Sequence, residues 1–299
     1  MKRLRIKHYL LSATILSTLL VSAALVKSDK HMAVPPATLP LLHTITVNGV
    51  PADSIVYDER RQLSAIWFYD DITRHWDAHN EYVVGGNNKV TKIMEYWGDE
   101  LMRTDSLAWT DSLLIRYTVS HQASAHAAYD TLVIALNEVG KAARVGTPDT
   151  LTDELHRFIS YDDLLYNGAN LSTLRSQDYF TTGTNGNAYI KHENITTLIY
   201  DQYRNPFAPL CSSYPGISRE TFNENVLFAD AANNVVSKTI QETFTGAVNE
   251  TVVNKISCRY QYDPVTLLPL QQLYEKNETD EDDRPVKKIY HITFTYTKI

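Results

Sequence analysis

Short runs of alternating apolar and polar residues recur along this chain, and clusters of turn-forming residues bound them. Leu113, Ile115, Tyr117 and Val119 alternate with Leu114, Arg116 and Thr118. Tyr290, Ile292, Phe294 and Tyr296 alternate with His291, Thr293, Thr295 and Thr297. A period of two places successive side chains on opposite faces, the pattern of an antiparallel sheet with a core on one side. Ala65-Ile66-Trp67-Phe68-Tyr69 is apolar at every position, which predicts a strand covered on both faces. The chain has 19 Tyr, many inside these runs, where aromatic rings suit a half-buried pleated surface.

The turns are equally regular. Asp58-Glu59-Arg60-Arg61, Gly85-Gly86-Asn87-Asn88, Asn137-Glu138-Val139-Gly140, Asn167-Gly168, Gly183-Thr184-Asn185-Gly186, Asn233-Asn234 and Thr279–Asp283 each stand between two strand-like runs. Such residues tolerate positive φ or close a turn through their side chains, so each predicts a hairpin. No amphipathic helix stands out. One short candidate covers Arg219–Asn225 with Ser218 as N-cap, and an irregular loop fits that segment as well. The expectation is an all-β fold: an antiparallel β-meander of roughly ten to fourteen strands, twisted strongly into an open barrel or half-barrel with one filled face.

The N-terminus predicts export. Lys2, Arg3, Arg5 and Lys7 precede an uncharged run from Tyr9 to Val26, and Leu20-Val21-Ser22-Ala23-Ala24 offers small residues for cleavage after Ala23 or Ala24. The same run, retained, is just long enough for an anchor contacting the inner membrane, although Ser12, Thr14, Ser17 and Thr18 weaken it as a span. No cysteine follows it, which argues against a lipid-anchored lipoprotein. The expected organisation is a signal segment over 1–24, a linker over 25–43 containing Pro35, Pro36 and Pro40, and one all-β domain over 44–299. The destination is periplasm, cell envelope or the extracellular space. Net charge is −7, and more negative once the four N-terminal cations are set aside, which speaks against nucleic acid as a partner. Two cysteines in an exported chain could pair, but Cys258 alternates in phase with Val252, Ile256, Tyr260 and Tyr262, and Cys211 follows Ala208-Pro209-Leu210. Both settings suit small buried hydrophobes.

A degenerate repeat runs through the hairpins. Val56-Tyr57-Asp58 before Leu63, Ser160-Tyr161-Asp162-Asp163-Leu164, and Tyr260-Gln261-Tyr262-Asp263 before Leu267-Leu268 share a strand-ending tyrosine, an aspartate and a returning apolar residue. The aspartate is expected to accept backbone amides and start the turn. Arg259-Tyr260-Gln261-Tyr262-Asp263 resembles the core of the YD repeat of large secreted shell proteins. Tyr200-Asp201-Gln202-Tyr203-Arg204-Asn205-Pro206-Phe207 resembles a recurring segment of a secreted Bacteroidota domain of unknown function with degenerate YD-like hairpins. That resemblance implies export and a hairpin fold. It supplies no activity and no site residues.

Candidate chemistry is sparse. His75 and His79 with Asp70, Asp71 and Asp77 form the densest ligand cluster, but in strand and loop, residues four apart lie about 13 Å apart, so a solvated hairpin loop is expected in place of a metal site. His121 and His126 fare no better. Glu275, Glu278 and Asp280–Asp283 lack the glycine and spacing of a calcium loop and predict an acidic hairpin tip. Asp153-Glu154 and Asp162-Asp163 could be paired carboxylates only at a separation that sequence cannot supply, and Asp162-Asp163 is assigned to a turn. No nucleophile elbow or P-loop is present. No catalytic, cofactor-binding or metal residue is therefore assigned, and no cofactor. Trp67, Trp76, Trp97 and Trp109 lie close together with Phe68, Tyr69 and Tyr96, either as core or as an exposed platform for a glycan or another envelope protein. The leading expectation is a non-enzymatic binding or scaffold module. A periplasmic carrier of an apolar ligand and a carbohydrate-active enzyme are the alternatives.

Overall fold

The computed structural model describes residues 40–121, 129–146, 151–152, 157–182, 188–215, 226, 229–246, 249–279 and 284–297. Within these residues seventeen strands follow one another in chain order. The first nine are β1 (Leu42–Val47), β2 (Val50–Tyr57), β3 (Leu63–Asp70), β4 (His75–Val84), β5 (Val90–Trp97), β6 (Glu100–Trp109), β7 (Leu113–Ser120), β8 (Tyr129–Leu136) and β9 (Ala142–Val145). After the two-residue β10 (Leu151–Thr152) come β11 (Arg157–Asn167), β12 (Asn170–Thr182) and β13 (Ala188–Arg204). Among the described residues one short helix, α1 (Ala208–Ser213), precedes β14 (Asn233–Gly246), β15 (Glu250–Tyr262), β16 (Pro269–Thr279) and β17 (Pro285–Tyr296). Among the described residues no helix is long and apolar enough to cross a membrane.

Each strand pairs antiparallel with its neighbour, β9 passes over β10 to pair with β11, and β17 returns to pair with β1. Sixteen strands thus close into a barrel, and β10 pairs with β11 alone. The meander matches the expectation. The strand count exceeds it, and the barrel is closed where an open one was the expectation. Closure has a direct cause: Leu42↔Tyr296 through Val47↔Ile292 join the two edges, and an unpaired edge leaves a row of backbone donors and acceptors unused. Two-residue Asn48-Gly49, with φ of 53° and 81°, makes the β1–β2 turn; both positions need the left-handed region, where glycine and asparagine are least strained.

The Tyr-Asp device works as a turn only in some copies. At Tyr57-Asp58, Asp58 Oδ1 accepts from the amides of Arg60 (2.9 Å) and Gln62 (2.8 Å). At Tyr262-Asp263, Asp263 Oδ1 accepts from Val265 (2.9 Å) and Thr266 (2.7 Å). Asn137 repeats the arrangement with Val139 and Lys141. These backbone donors hold the Asp58 and Asp263 carboxyls below the usual carboxylate range. Tyr161-Asp162-Asp163 corrects the expectation: it lies in the middle of β11, with Asp162 buried inward and Asp163 bonded outward to Arg144 Nε at 2.6 Å. Leu164-Leu165-Tyr166 follows it and carries the strand on to the turn at Asn167-Gly168. Asn233-Asn234 is likewise no turn but the start of β14. The proposed turn at Gly183–Gly186 lies outside the described residues.

The connection from β13 to β14 fills one end of the barrel. Its α1 helix was not foreseen, and the candidate helix at Arg219–Asn225 lies outside the described residues. Asn205 starts the plug. Its Nδ2 donates to the carbonyls of Ala229 (3.0 Å) and Ala231 (2.9 Å), and its Oδ1 accepts from Phe207 N at 3.0 Å. Phe207, Leu210, Cys211, Tyr214, Val226, Ala229 and Ala231 then join Ile45, Ile55, Ile66, Leu114, Ile134, Ile256 and Ile292 from the strands in one buried cluster. The rim is stitched to the plug by polar contacts. Lys141 Nζ reaches Asp230 Oδ1 at 2.9 Å, Tyr166 donates to Asp230 Oδ2 at 3.2 Å, and Lys89 Nζ donates to Ser212 O at 2.9 Å. Asn170 Oδ1 accepts from Ala232 N, while at the same rim the Tyr262 hydroxyl of β15 donates to Asp201 Oδ2 of β13.

Cys211 and Cys258 are both buried free thiols in this cluster. Burial pushes Cys211 well up, and burial with Glu275 nearby pushes Cys258 up to about 12. Neither thiol is expected to react with Ellman's reagent at about pH 8 until guanidinium unfolds the chain, since the thiolate is the nucleophile. Rapid labelling of the native protein would contradict the packing. Linkage has a definite sign here. The folded chain keeps protons that an unfolded thiol releases above 9.0, so the thiols' contribution to stability is present below that pH and is lost as pH rises toward 12.

Candidate functional site

Inward and outward faces follow from register. On β17, Ile292 and Phe294 are buried inward as the alternation predicts. On β7 the apolar set Leu113, Ile115, Tyr117 and Val119 faces outward, because Leu114 is the buried partner of Ile134 and alternates with it. The inward Arg116 and Thr118 meet polar partners: Arg116 Nη1 reaches Tyr214 Oη at 3.4 Å and Thr118 donates to Asp105 Oδ1 at 2.7 Å. Away from the plug the inner wall carries further charge. Arg103 pairs with Glu95 (3.1 Å) and Asp105 (3.5 Å), and His192 lies on Phe244 between Asp178 (3.6 Å) and Glu242 (3.5 Å). Between the plug and the strands, the pocket lined by Phe207, Val235, Tyr260 and Phe294 measures only about 10 Å³, room for about one water.

The outer wall holds the arrangement with the clearest capacity to bind. Cross-strand partners share a face, and the register aligns Thr295, Thr44, Ser54, Trp67, His79 and Tyr96 in one outward row. His79 is sandwiched: its ring stacks on Trp67 at 4.0 Å and 16°, and on Tyr96 at 4.8 Å and 7°. On the far side of Trp67 stands Ser54, too small to cover an indole face, and beyond it Thr44 and Thr295 join hydroxyls at 2.5 Å. A Trp face beside a strip of hydroxyls is a surface for a flat polar ring.

This row runs into a groove of about 410 Å³ on β15, β16 and β17. Gln261, Gln271, Thr293 and Thr46 form its second row, and Arg259, Leu273 and His291 a third. Adjacent strands lie about 4.8 Å apart, so the Gln261 and Gln271 amides stand side by side at that interval, while Arg259 and His291 flank Leu273 two strands apart.

The sequence candidates fall in several places. His75 opens β4 and His79 lies on its outer face, buried under two rings, where a solvated loop was expected; the hairpin tip is Asp71–Arg74, capped by Asp70. The Asp70 carboxyl is held below the usual range by the Ile72 and Thr73 amides. Glu275 is not at an acidic tip but midway along β16, between Arg259 (2.6 Å) and Lys287 (2.9 Å). His121 bonds Thr104 Oγ1 at 3.0 Å. Asp153-Glu154, His126 and Asp280–Asp283 lie outside the described residues. Among the described residues no three His, Cys, Asp or Glu side chains are placed to hold a metal ion.

The tryptophans do not form a single platform. Trp109 turns inward, donating Nε1 to Val90 O at 2.7 Å under Lys89. Trp97 is 65% exposed near the Gly98 turn, Trp76 is 38% exposed against Tyr69, and Trp67 alone joins the hydroxyl row. Sequence reading missed the groove, whose residues come from three strands; the one available signal was the outward phase of Gln261 between two tyrosines and of Thr293 between buried Ile292 and Phe294.

No family model and no curated protein matches this chain. Six structures match, among them a porin-like protein from Bacteroides uniformis, 12% identical, covering 86% of this chain and 96% of that one at a TM-score of 0.31. A mutant of the vaccine antigen transferrin binding protein B from Haemophilus parasuis is 7% identical over 74% of this chain and 66% of that one, at a TM-score of 0.13. At these scores neither likeness carries an argument about what this chain does.

Proposed function

We propose that this is an exported, non-enzymatic binding module of the cell envelope that holds glycans on its outer wall. The observation that carries the reading is the continuous strip from Trp67 through Ser54, Thr44 and Thr295 to the Gln261–Gln271–Thr293 groove. An aromatic face, hydroxyls and planar amides are the groups that stack on and hydrogen-bond to sugar rings. Two features support a water-facing wall. The outward positions of β12 to β17 mix Arg175, Lys191, Glu193, Lys255, Arg259, Glu275 and Lys287 with apolar Ile199, Val253 and Ile289, whereas a membrane-spanning barrel carries a continuous apolar outer band. The plug and filled core also leave one end of the lumen packed.

The test is a glycan array with the purified protein, followed by titration of the best ligand. Trp67→Ala is expected to weaken binding at least tenfold with the circular dichroism spectrum intact. Absence of binding to every glycan, or hydrolysis of a glycoside, ester or peptide abolished by one point substitution, would overturn the reading.

A further inference from the structure

The groove on β15 to β17 differs in charge from the chain as a whole. The chain as a whole carries −7, yet no aspartate or glutamate lines this groove, and Arg259 and His291 do. We infer that its ligand is an acidic glycan, a polysaccharide carrying uronate carboxylates or sulfates. The inference rests on the glycan-binding reading above.

Arg259 is the group placed to capture the acid. Its side chain is 73% exposed, and its Nη2 bonds Glu275 Oε1 at 2.6 Å. That carboxylate is only 15% exposed and is shared with Lys287 Nζ at 2.9 Å through its other oxygen. The two cations hold the Glu275 carboxyl below the usual range, so it stays ionised. Two cations around one anion leave a local excess of positive charge. A guanidinium has five N–H donors in a rigid fork, more than one carboxylate oxygen can satisfy, and the fork suits bidentate capture of a second carboxylate or a sulfate. Glu275 therefore works as a strut that orients Arg259 at the groove's edge. Lys255 extends the positive wall along β15 on the same outward face as Ser257 and Arg259. Gln261, Gln271 and Thr293 supply donors and acceptors for the ring hydroxyls next to the captured acid. An acidic peptide offers the charge but not the hydroxyls these amides would meet, and it makes no use of the Trp67 face.

The experiment titrates the purified protein with a polyuronate, a neutral glucan of the same length, and poly-glutamate. The polyuronate is expected to bind at least tenfold tighter than either. Raising ionic strength from about 0.02 M to about 0.5 M shortens the screening length severalfold and should weaken polyuronate binding at least tenfold while leaving any neutral binding unchanged. Arg259→Gln is expected to remove most of the preference for the acid, and Arg259→Lys to restore part of it. The salt series uses the unaltered protein and so stands even if a variant folds poorly. Neutral glucan bound as tightly as polyuronate overturns the inference and leaves the glycan reading intact. Preference for poly-glutamate overturns the inference in favour of a peptide. No binding of any sugar overturns both.

Discussion

Replacing Asn205 with alanine is expected to lower the unfolding free energy by about 3 kcal/mol, because three buried hydrogen bonds vanish and their partners stay buried. Asn205 is 2% exposed. Its amide bonds the carbonyls of Ala229 and Ala231, and its carbonyl receives the amide of Phe207, so one side chain ties the first and last parts of the plug together. No other side chain can do this with the same geometry. Aspartate keeps an acceptor for Phe207 but sets an oxygen against the two carbonyls that Nδ2 now serves, so Asn205→Asp is expected to cost at least as much. Urea unfolding followed by circular dichroism measures both. A loss below about 1 kcal/mol in either variant would mean that the plug does not depend on this residue.

Much of the fold could be read before the structure, and the reason lies in contrast. On β15 and β17 the inward residues meet the apolar plug and the outward ones meet water, so Ile256 and Cys258, or Ile292 and Phe294, stand out against polar neighbours. On β7 the contrast is inverted, because that sector of the lumen is polar and its outer wall apolar. The alternation announced a strand there but not its facing. The Tyr-Asp copies differ in the residues that come after them. Glu59-Arg60-Arg61 after Tyr57-Asp58 can turn, whereas Leu164-Leu165-Tyr166 after Tyr161-Asp162-Asp163 keeps alternating and stays in β11. Asn205-Pro206-Phe207 stood out as a segment, but its role as a latch needs Ala229 and Ala231, brought back by the plug. The outer strip was the least legible. Ser54, Trp67, His79 and Tyr96 come from four strands, and only bulges such as those between Val56 and Tyr57 in β2 and between Phe68 and Asp70 in β3 set the registers that align them.

Tyr214→Ala is the second large effect. Tyr214 is 1% exposed at the end of α1, and its side chain is among the largest fully buried ones in the described residues. Truncating a buried aromatic to alanine costs about 3–5 kcal/mol, the lost burial plus the cavity that the surrounding wall cannot collapse to fill. Tyr214→Phe keeps the buried ring but removes the hydroxyl that meets Arg116 Nη1, and is expected to cost about 1 kcal/mol. The pair of variants separates two roles for the plug. If the plug were a lid resting on an independently stable barrel, Tyr214→Ala would loosen it while the strand signal in circular dichroism melted as before. The packing points the other way. Leu210, Cys211 and Tyr214 share one cluster with inward residues of β1 to β9 and β14 to β17, so removing them would open the apolar end of the lumen to water. The strand signal and tryptophan fluorescence, which includes Trp109 beside Lys89 at the plug, are therefore expected to shift together to lower denaturant. A fluorescence transition that moves alone would show that the barrel stands without its plug.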